Sequence, residues 1–523
     1  MIFRSPFDSV EIPDIALTPF VLQRAAQHAD KPALVEGLTG RTITYGELSR
    51  QAGTAATNLA RRGLRKGDVA GIYSPNTPEY ASAFHALALA GAVTTTINPA
   101  YTLDEVAHQL KDAGAKYLFA AESLWDKAYE AARCSGGVRE LFVFGEAKDT
   151  TSFADLLSGD APPPCVEINP HEDLAALPYS SGTTGLAKGV MLTHRNMVAS
   201  IIQGETVGHT TANDVLICFL PLFHIYGLNV VLNLGLRTGA TIVTLPRFQL
   251  EEFLQVMQDY GVTFAHLVPP VVLALAKNPI VDNYDLSKLK TIFCGAAPLG
   301  EELTRTCEMR LGCVIRQGYG MTETSPIITI SPDDAAQITQ GSVGWCAPAT
   351  ECKIVDVETN AELSFKERGE LCVRGPQVMK GYLNQPDATA HTIDEDGWLH
   401  TGDIAYVDED NSFYIVDRLK ELIKYKGFQV APAELEALLL AHPCVADAAV
   451  IPSPDEEAGE VPKAFIVLKE EVSAEALMEF VAARAAPHKK IRKLEFVEQI
   501  PKSASGKILR RVLVARERAT PAT

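Results

Sequence analysis

Basic charge, paired cysteines and repeated segments are all scarce in this sequence of 523 residues. Lysine and arginine total 47 against 65 aspartate and glutamate residues, so the net charge is −18. A chain this acidic is a poor partner for DNA, RNA or an anionic membrane, because like charges repel. An anionic ligand must therefore be met by a local group of lysines and arginines.

The ten cysteines are scattered, and no two of them form a C-x-x-C pair. Most of them lie in apolar runs. This pattern favours buried free thiols over disulfides or zinc, and it predicts a reducing, cytoplasmic location. The N-terminus carries Asp8, Glu11 and Asp14 where a secretory signal would need an apolar segment.

One uncharged run of 22 residues, between Asp214 and Arg237, is long enough to cross a bilayer. Pro221, Gly227 and Asn229 interrupt this run, and no amphipathic anchors flank it. We therefore predict a buried segment with a few purposeful polar groups, and no membrane as partner.

A chain of this length is too long for one ordinary core, so two or more domains are expected. Between residues 66 and 120 the pattern alternates as βαβαβ, with apolar strands at DVAGIY, AVTTTI and KYLFA. Thr77 and Pro78 are expected to cap and open the first helix, and a Thr102–Glu105 capping box opens the second. The alternation predicts an α/β fold with a parallel sheet covered by helices.

After about Gly341, shorter alternating strands such as ECKIVDV and GELCVRG indicate a small barrel-like subdomain. From Lys420 the pattern becomes a smaller α+β unit, with a helix over 432–442 and strands at ADAAVI and KAFIVL. We therefore predict a large N-terminal domain over 1–419 and a smaller, mobile α+β C-terminal domain over 420–523.

The stretch YSSGTTGLAKGVMLTH combines hydroxyl side chains, glycines and a lysine, a composition that suits phosphate binding. It departs from the Walker A pattern, because Ala187 replaces a glycine and Gly189 replaces the Ser or Thr that would hold magnesium. A P-loop kinase is therefore excluded, and a flexible turn is the plain alternative. The candidate phosphate contacts are Ser180, Ser181, Gly182, Thr183, Thr184 and Lys188.

Five further stretches follow in order along the chain: PLFHIYGL, QGYGMTE, GWLHTGD, VDRLKELIKYKGFQV and PKSASGK. With the glycine-rich loop, they resemble the adenylate-forming acyl-CoA synthetases, and most closely the 4-coumarate/cinnamate:CoA ligases. The resemblance runs over nearly the whole chain. It implies ATP, Mg²⁺ and coenzyme A, with a carboxylate that attacks the α-phosphate of ATP and a CoA thiol that captures the acyl-adenylate.

The resemblance implies three catalytic residues. Lys507 is the cation between the two reacting anions, where it would stabilise the transition state. His224 lines the path of the carboxylate and helps to orient it, and Glu323 accompanies Mg²⁺. The plain alternatives are an ordinary exposed lysine, a satisfied core histidine and a solvated Thr–Glu pair.

The resemblance also implies how the nucleotide is held. Thr184 and Lys188 grip the pyrophosphate part of ATP. Tyr319 offers a flat face to adenine, Asp403 accepts the two ribose hydroxyls, and Arg418 supports the same ribose. The remaining expected contacts with ATP or CoA are Gln317, Gly318, Gly320, Thr322, Lys420, Lys424, Lys426, Gly427 and Gln429.

A hinge is expected at Lys420, because one site must use Lys507 for adenylation and later admit the CoA thiol. Rotation of the small domain would exchange the Lys507 loop for the face that carries IKYKGFQ. A basic cluster near the C-terminus is either a contact for CoA phosphates or a solvated edge. Its members are Lys489, Lys490, Arg492 and Lys493.

The resemblance further implies an acid pocket. Its expected lining is Tyr226, Val230, Gly295, Ala296, Gly318, Pro326 and Ile327. Gly295 leaves room for a flat acyl group, and Tyr226 either bonds a ring hydroxyl or packs on a ring. Val230 is apolar and discriminates a hydroxyl only modestly. 4-Coumarate and cinnamate are therefore the first choice of acid, and a medium-chain or another aromatic acid is the second.

Three other functions compete with this one. A carrier-dependent adenylation domain would need an acidic residue near His224 and a carrier domain downstream. A non-catalytic nucleotide-binding module would be signalled by loss of Lys507, Glu323 or Asp403, and all three are intact. A luciferase-like oxygenase shares the CoA-ligase motifs. The expected partners are the small acid, ATP and CoA, and the chain is expected to be a monomer or a homodimer.

Overall fold

The structure, a computed structural model, describes residues 1–147, 150–159, 162–180, 187–208, 210–426, 428–455, 458–503 and 506–519. Helices alternate with strands of two large sheets over most of the chain, so the predicted α/β fold is confirmed. A smaller unit of strands and helices follows at the C-terminal end.

Two nine-stranded sheets form the large N-terminal part, and their central strands run parallel. In spatial order the first contains Tyr179–Ser180, Lys188–Thr193, Leu174–Ala176, Val93–Ile97, Val69–Tyr73, Ala115–Ala121, Glu140–Phe144 and Thr151–Ser152, with Gly381–Tyr382 beside the second of these. The second contains Trp345–Cys346, Ile327–Ile330, Val314–Gly320, Thr291–Cys294, Phe264–Leu267, Val215–Cys218, Thr241–Thr244, Pro32–Glu36 and Thr42–Thr44.

Two smaller sheets follow. The shorter strands predicted after Gly341 form an antiparallel five-stranded sheet of Ile2–Arg4, Glu351–Val355, Gly369–Arg374, Leu399–Val407 and Phe413–Arg418. The C-terminal sheet contains Phe428–Val430, Ile423–Tyr425, Gly459–Leu468 and Val445–Asp455, with Lys493–Phe496 parallel to the third of these.

Helices cover the parallel sheets, whose central strands are buried on both faces and therefore read as continuous apolar runs. The α-helices are Leu17–Val21, Tyr45–Arg61, Pro78–Leu89, Leu103–Asp112, Trp125–Ser135, Phe153–Leu156, His194–Gly208, Leu234–Thr238, Leu250–Asp259, Pro269–Lys277, Glu301–Leu311, Pro386–Thr392, Pro432–Ala441, Ala474–Ala482 and Arg510–Ala519. The 3-10 turns are Ala25–His28, Glu122–Leu124, Pro279–Asn283, Thr322–Thr324, Ala335–Gln337 and Pro487–Lys489.

Of the two predicted helix caps, one is confirmed and the other was wrong. Thr102 accepts from the backbone of Glu105, whose carboxylate accepts from the backbone of Thr102, so this capping box is confirmed. Thr77 precedes the helix Pro78–Leu89, but its side chain makes no capping hydrogen bond, and that prediction was wrong. Pro78 sets the first helical turn through its fixed φ, so this helix begins without a hydroxyl cap.

The C-terminal unit has a hydrophobic core of its own, built around Ile423, Leu435, Val450 and Ile466. The division of the chain at residues 419/420 stays a prediction. Every cysteine is free, and most are buried, as expected. Among the described residues, no helix is both long and apolar enough to cross a bilayer.

The uncharged run forms an eight-residue π-helix, Tyr226–Asn233, that continues into the helix Leu234–Thr238. Its wider turns are uncommon and often mark functional sites. Gly227 lies where this helix meets the preceding loop, because a Cβ there would lie 2.3 Å from the carbonyl oxygen of Pro221. The loop thus packs directly on the helix backbone, between His224 and the pocket residues that follow.

Replacing Gly227 with alanine is expected to force the loop and the helix apart. We expect guanidinium denaturation to show that the variant loses about 1–3 kcal/mol of unfolding free energy, a typical overpacking cost. Gly208→Ala is the control, because a Cβ at that helical glycine would meet nothing within 4 Å. Equal stability of the two variants would show that the contact with Pro221 is unimportant.

Candidate active site

The candidate site lies where neighbouring parallel strands of the second sheet end. Val215–Cys218 is followed by PLFHIYGL, Thr291–Cys294 by GAAP, and Val314–Gly320 ends in the sequence QGYG. Ligands of open parallel sheets bind at the carboxyl ends of the strands. The sheet therefore brings together motifs that are far apart in the sequence.

Backbone, rather than side chains, forms one wall of the site. Gln317 is buried, and Gly318 and Gly320 follow it in the same strand. A Cβ at Gly318 would lie 2.7 Å from the ring of Phe293, and a Cβ at Gly320 would lie 1.7 Å from the carbonyl oxygen of Pro326. Both glycines are therefore fixed by lack of space.

Tyr319, Asp403 and Arg418 form one hydrogen-bonded group. The Tyr319 hydroxyl donates to Oδ2 of Asp403, and the Arg418 Nε lies 3.2 Å from Oδ1. Asp403 and Arg418 are direct partners on antiparallel strands. Burial and the adjacent Asp403 raise the pKa of the Tyr319 hydroxyl, so the phenol stays a donor. A carboxylate offers about four acceptor sites, so Asp403 can still accept ribose hydroxyls.

Glu323 is buried beside the start of the glycine-rich loop. Its Oε1 accepts from the hydroxyls of Ser180, at 3.1 Å, and Tyr382, at 2.9 Å. Within the described part of the chain, Oε2 receives no hydrogen bond, which leaves a carboxylate oxygen suited to a hard cation such as Mg²⁺. The Lys188 ammonium lies 4.7 Å from the ring centroid of Tyr382, close to the same group.

Lys507 reaches this cleft from the C-terminal unit. Its backbone N–H donates to Oγ of Ser503 at 3.1 Å, and its carbonyl accepts from the Ser503 backbone at 2.8 Å. The neighbouring Gly506 packs on Val268 and Pro270, which follow a strand of the second sheet. The loop that carries the lysine is therefore docked on the large N-terminal part.

The environment of Lys507 is positive and poor in water. Burial lowers the pKa of its ammonium to about 8, Arg418 contributes to the lowering, and Glu421 and Asp403 oppose it. The same lysine charge acts on the pKa of His224 and of Asp403. The motif predicts a cation near the residues that hold the nucleotide and the carboxylate. In the structure Lys507 lies close to Asp403 and to His224.

A buried ionic group supports the Lys507 segment. Arg510, three residues later, contacts Glu421 at 2.7 Å and Glu436 at 2.6 Å. Glu436 also accepts from the backbone N–H of Val450 at 2.7 Å, and burial raises the pKa of its carboxyl to about 7. These contacts join the chain after Lys507 to the segment that follows the predicted hinge.

His224 is a neutral hydrogen-bond donor at pH 7. The backbone N–H of Tyr226 donates to its Nδ1 at 3.2 Å, so the single proton of the neutral ring lies on Nε2. Burial lowers the pKa of His224 to about 4, and the charge of Lys507 contributes. An N–H donor of this kind suits a substrate carboxylate.

Two of the residues predicted for the acid pocket lie in the π-helix. Tyr226 and Val230, one turn apart, are both buried, as is Ile327. A Cβ at Gly295 would lie 3.2 Å from Cε1 of Tyr226, so the glycine avoids a tight contact with that ring. The Tyr226 hydroxyl donates to the carbonyl oxygen of Phe293 at 3.1 Å, so its only proton is already used.

The other predicted pocket and nucleotide residues take different positions. Ala296 follows Gly295 with a φ of 71°, and Thr322 lies in the same 3-10 turn as Glu323. Pro326 supplies the carbonyl oxygen that faces Gly320. The predictions for Ser181, Gly182, Thr183, Thr184 and Gly427 lie outside the described residues.

The residues predicted for the second face lie elsewhere in the C-terminal unit. The exposed Lys420 and Lys424 make no side-chain contact with Asp403 or Lys507 among the described residues. Lys426 lies at the end of the strand Ile423–Tyr425. The backbone of Gln429 pairs with that of Lys424 in the C-terminal sheet. Lys507 is therefore buried in the cleft, whereas Lys420 and Lys424 are exposed.

The basic cluster is largely paired within the chain, which favours a basic edge of the C-terminal unit over a contact for CoA phosphates. Lys489 contacts Glu434 at 2.6 Å, and Lys493 donates to Oγ of Ser453 at 2.9 Å. Arg492 lies over the ring of Tyr425. Lys490 is the fourth member, and its carbonyl accepts from Arg492.

One further cluster has the composition of a metal site. Among the described residues, ligand atoms of Glu370, Cys372 and His400 lie within 4.8 Å of one another. His400 Nδ1 contacts Sγ of Cys372 at 3.4 Å and Oε2 of Glu370 at 2.9 Å, and these hydrogen bonds raise the imidazole pKa to about 10. His400 belongs to the strand that carries Asp403, whereas Glu370 and Cys372 belong to the neighbouring strand, so these hydrogen bonds join two strands of the antiparallel sheet.

Tyr382 and Arg510 were not predicted from the sequence. Tyr382 lies in KGYL, far from Glu323 in the sequence, and becomes its neighbour only because Gly381–Tyr382 pairs with the strand after the glycine-rich loop. Arg510 follows Lys507 by three residues, and that spacing was a local signal that could have been used. Long-range pairing of this kind leaves no trace in local periodicity.

The link between Lys507 and His224 can be tested by NMR. In Lys507→Gln the imidazole pKa of His224 is expected to rise above about 4, because a positive charge that lowers it has been removed. The C–H chemical shifts of the ring followed against pH would report this change. His85 is the control, because burial alone lowers its pKa to about 3. Equal movement of both histidines would exclude a specific link.

Two family models match the chain. The model described as AMP-binding enzyme matches residues 21–383, and the model described as AMP-binding enzyme C-terminal domain matches residues 434–507. Together these matches include the glycine-rich loop, His224, Glu323 and Lys507, whereas Asp403, Arg418 and the predicted hinge lie between the two matches.

Full-length relatives and solved structures agree with these models. The chain is 45% identical to 4-coumarate–CoA ligase 1 of Petroselinum crispum, covering 99% of this chain and 97% of that protein. It is 45% identical to 4-coumarate–CoA ligase of Pinus taeda, covering 98% and 97%. An o-succinylbenzoate CoA synthetase from Bacillus subtilis, in complex with its acyl-adenylate intermediate, superposes with a TM-score of 0.82 at 31% identity, covering 96% and 98%. The chain belongs to the AMP-binding enzyme family, as its motifs predicted.

Proposed function

We propose that this protein is an ATP-dependent, AMP-forming acid:CoA ligase that acts on 4-coumarate and related cinnamates. The observation that carries the proposal is the meeting of Lys507, His224 and Asp403 in one cleft. A cation, a neutral donor and a ribose acceptor are the groups that a carboxylate and ATP require. The 4-coumarate–CoA ligases to which the chain is similar over its whole length support the same reaction class.

The first step brings a carboxylate against the α-phosphate of ATP, and repulsion between the anions is its main barrier. The Lys507 ammonium offsets the charge that develops on the phosphate, in surroundings where burial strengthens its field. His224 donates through Nε2 to the carboxylate and leaves an oxygen free to attack. The new bond joins that oxygen to the α-phosphorus, and pyrophosphate departs with the electrons of the broken P–O bond.

The nucleotide is held on both sides of this reaction. Asp403 accepts from the ribose, with Tyr319 and Arg418 fixing the orientation of its carboxylate. Lys188 and Ser180 flank the phosphate chain. Glu323 is the residue whose free oxygen fits Mg²⁺, and the bound ion would supply positive charge beside the phosphate oxygens.

The second step requires the CoA thiol to attack the same carbonyl, with AMP as the leaving group. Lys507 serves the first step and the thiol must reach the same carbonyl in the second, so we propose that residues 420–523 rotate as a unit about Lys420. The face with Lys424, Lys426 and Gln429 would then meet the site. A separate hydrophobic core in the C-terminal unit supports rotation as a rigid body.

The pocket supports a flat aromatic acid. Gly295 avoids a tight contact with the ring of Tyr226, and offset stacking on such a ring is favourable for another ring. A medium-chain acid is the second candidate, because Val230 and Ile327 are apolar. The free, mostly buried thiols support a cytoplasmic location. We propose a monomer or a homodimer.

The reaction class is tested by thioester formation with ATP, Mg²⁺ and CoA over a panel of acids. Thioester and pyrophosphate are expected with 4-coumarate, caffeate, ferulate and cinnamate, and little with benzoate or an amino acid. Lys507→Ala is expected to lower adenylation by on the order of 10²–10³-fold. Turnover of octanoate alone would contradict the proposed aromatic substrate. Formation of the adenylate without any thioester would contradict the proposed CoA ligase activity.

The ionisation of Lys507 predicts a pH profile. The pKa of its ammonium is lowered to about 8, so the cation is present below that pH and lost above it. The kcat/KM for ATP in pyrophosphate exchange is therefore expected to fall as pH rises through about 8. Lys507→Arg keeps its charge and should lose this decline, although it starts from a lower rate. An unchanged decline in that variant would assign the titration to another group.

A further inference from the structure

His266 is a buried polar residue at the edge of the predicted acid pocket. It lies on the strand Phe264–Leu267, opposite Phe293 in the register, and is 3% exposed. Its ring meets Tyr226 edge to face, with centroids 5.6 Å apart. No motif in the sequence predicts a role for it. Its position beside Tyr226 makes it part of the wall that a substrate ring would face.

The hydrogen bonds of Tyr226 fix the proton on His266. The Tyr226 hydroxyl donates its only hydrogen to the carbonyl oxygen of Phe293, since a carbonyl can only accept. The Tyr226 oxygen also lies 3.3 Å from Nδ1 of His266. With the hydroxyl hydrogen used, this second bond must be donated by Nδ1–H.

The other ring nitrogen is then a bare acceptor. Burial lowers the pKa of His266 to about 3, and the positive charge of Arg316 contributes, so the ring is neutral at pH 7. A neutral imidazole carries one proton, which leaves a lone pair on Nε2. Nε2 is buried and has no hydrogen-bond partner among the described residues. An unsatisfied buried polar atom is costly unless a ligand completes it.

Two other histidines have a buried, unpartnered Nε2, and they show what sets His266 apart. His85 contacts Thr18, and His194 accepts from the backbone of Leu17. Neither contacts a predicted pocket residue within the described chain. His266 does so directly, so only its open acceptor adjoins the place where the substrate is expected.

We propose that Nε2 of His266 accepts a hydrogen bond from a hydroxyl on the ring of the acyl substrate, and thereby determines specificity. The proposal rests on the proposed function and refines it: a hydroxycinnamate is preferred over cinnamate. The apolar Val230 discriminates little between a hydroxylated and an unsubstituted ring, and the hydroxyl hydrogen of Tyr226 is already donated to Phe293. His266 is therefore the residue that recognises the ring hydroxyl. A ring methoxy group fills similar space but has no hydrogen to donate.

The first test compares kcat/KM for 4-coumarate, cinnamate and 4-methoxycinnamate. Wild-type protein is expected to favour 4-coumarate, and His266→Met to lower the coumarate-to-cinnamate ratio by on the order of 10-fold. His85→Met makes the same change at a buried histidine that contacts no predicted pocket residue within the described chain. The coumarate-to-cinnamate ratio of this variant should stay at the wild-type value. If the role of His266 is purely structural, His266→Met will lower kcat/KM for all three acids by the same factor. That result would overturn the proposal.

A second measurement needs no variant. Protein labelled with ¹⁵N at histidine is given ATP and Mg²⁺ without CoA, so that the acyl-adenylate stays bound. The ¹⁵N resonance of the unprotonated Nε2 of His266 is expected to shift when 4-coumarate is the acid. It is expected to stay in place with cinnamate. Identical spectra with the two acids would overturn the role of His266 while leaving the ligase assignment intact. Absence of adenylate with every aromatic acid would instead refute the proposed function.

Discussion

The Lys507 ammonium carries a positive charge in a buried cleft. Lys507 must approach two anions, and its field is strong only where solvent is excluded. The same exclusion lowers its pKa, because burial penalises the charged form. Asp403 and Glu421 oppose that penalty, so the lysine stays near the balance between charged and neutral forms. The surrounding carboxylates are therefore part of the chemistry as well as of the packing.

The support of this lysine comes from the C-terminal unit, and its target comes from the sheets of the N-terminal part. Arg510 is bound by two carboxylates within its own unit, whereas Gly506 packs on the chain that follows a strand of the second sheet. A broken ion pair in such buried surroundings leaves an uncompensated charge, which is more costly than the pair is stabilising. The position of the cation is thus set by both units at once.

Much of the fold and part of the site could be predicted from the sequence. Alternating apolar runs and turn residues predicted the α/β class, and the Thr102–Glu105 capping box was visible because its contacts are local. The Thr77 cap failed, since a fixed proline φ already starts that helix. The π-helix Tyr226–Asn233 was not predicted, because its apolar pattern also suits an ordinary buried helix.

The residues of the site also differ in whether a local sequence signal predicts them. Lys507, His224 and Asp403 were found through motifs, whereas Tyr382 and His266 acquire their positions only through strand pairing. The proton on His266 depends on Tyr226 and Phe293, which come from different parts of the chain. Residue type and spacing carry no information about such an arrangement.

The packing of Gly506 on Val268 and Pro270 has a consequence for substrate size. These two residues come shortly after the strand that carries His266, so one short segment borders the proposed acid pocket and contacts the lysine loop. An acid too large for the pocket would push this segment outward and separate Gly506 from its seat. The enzyme would then reject an oversized acid before any bond forms, because the cation would no longer reach the phosphate.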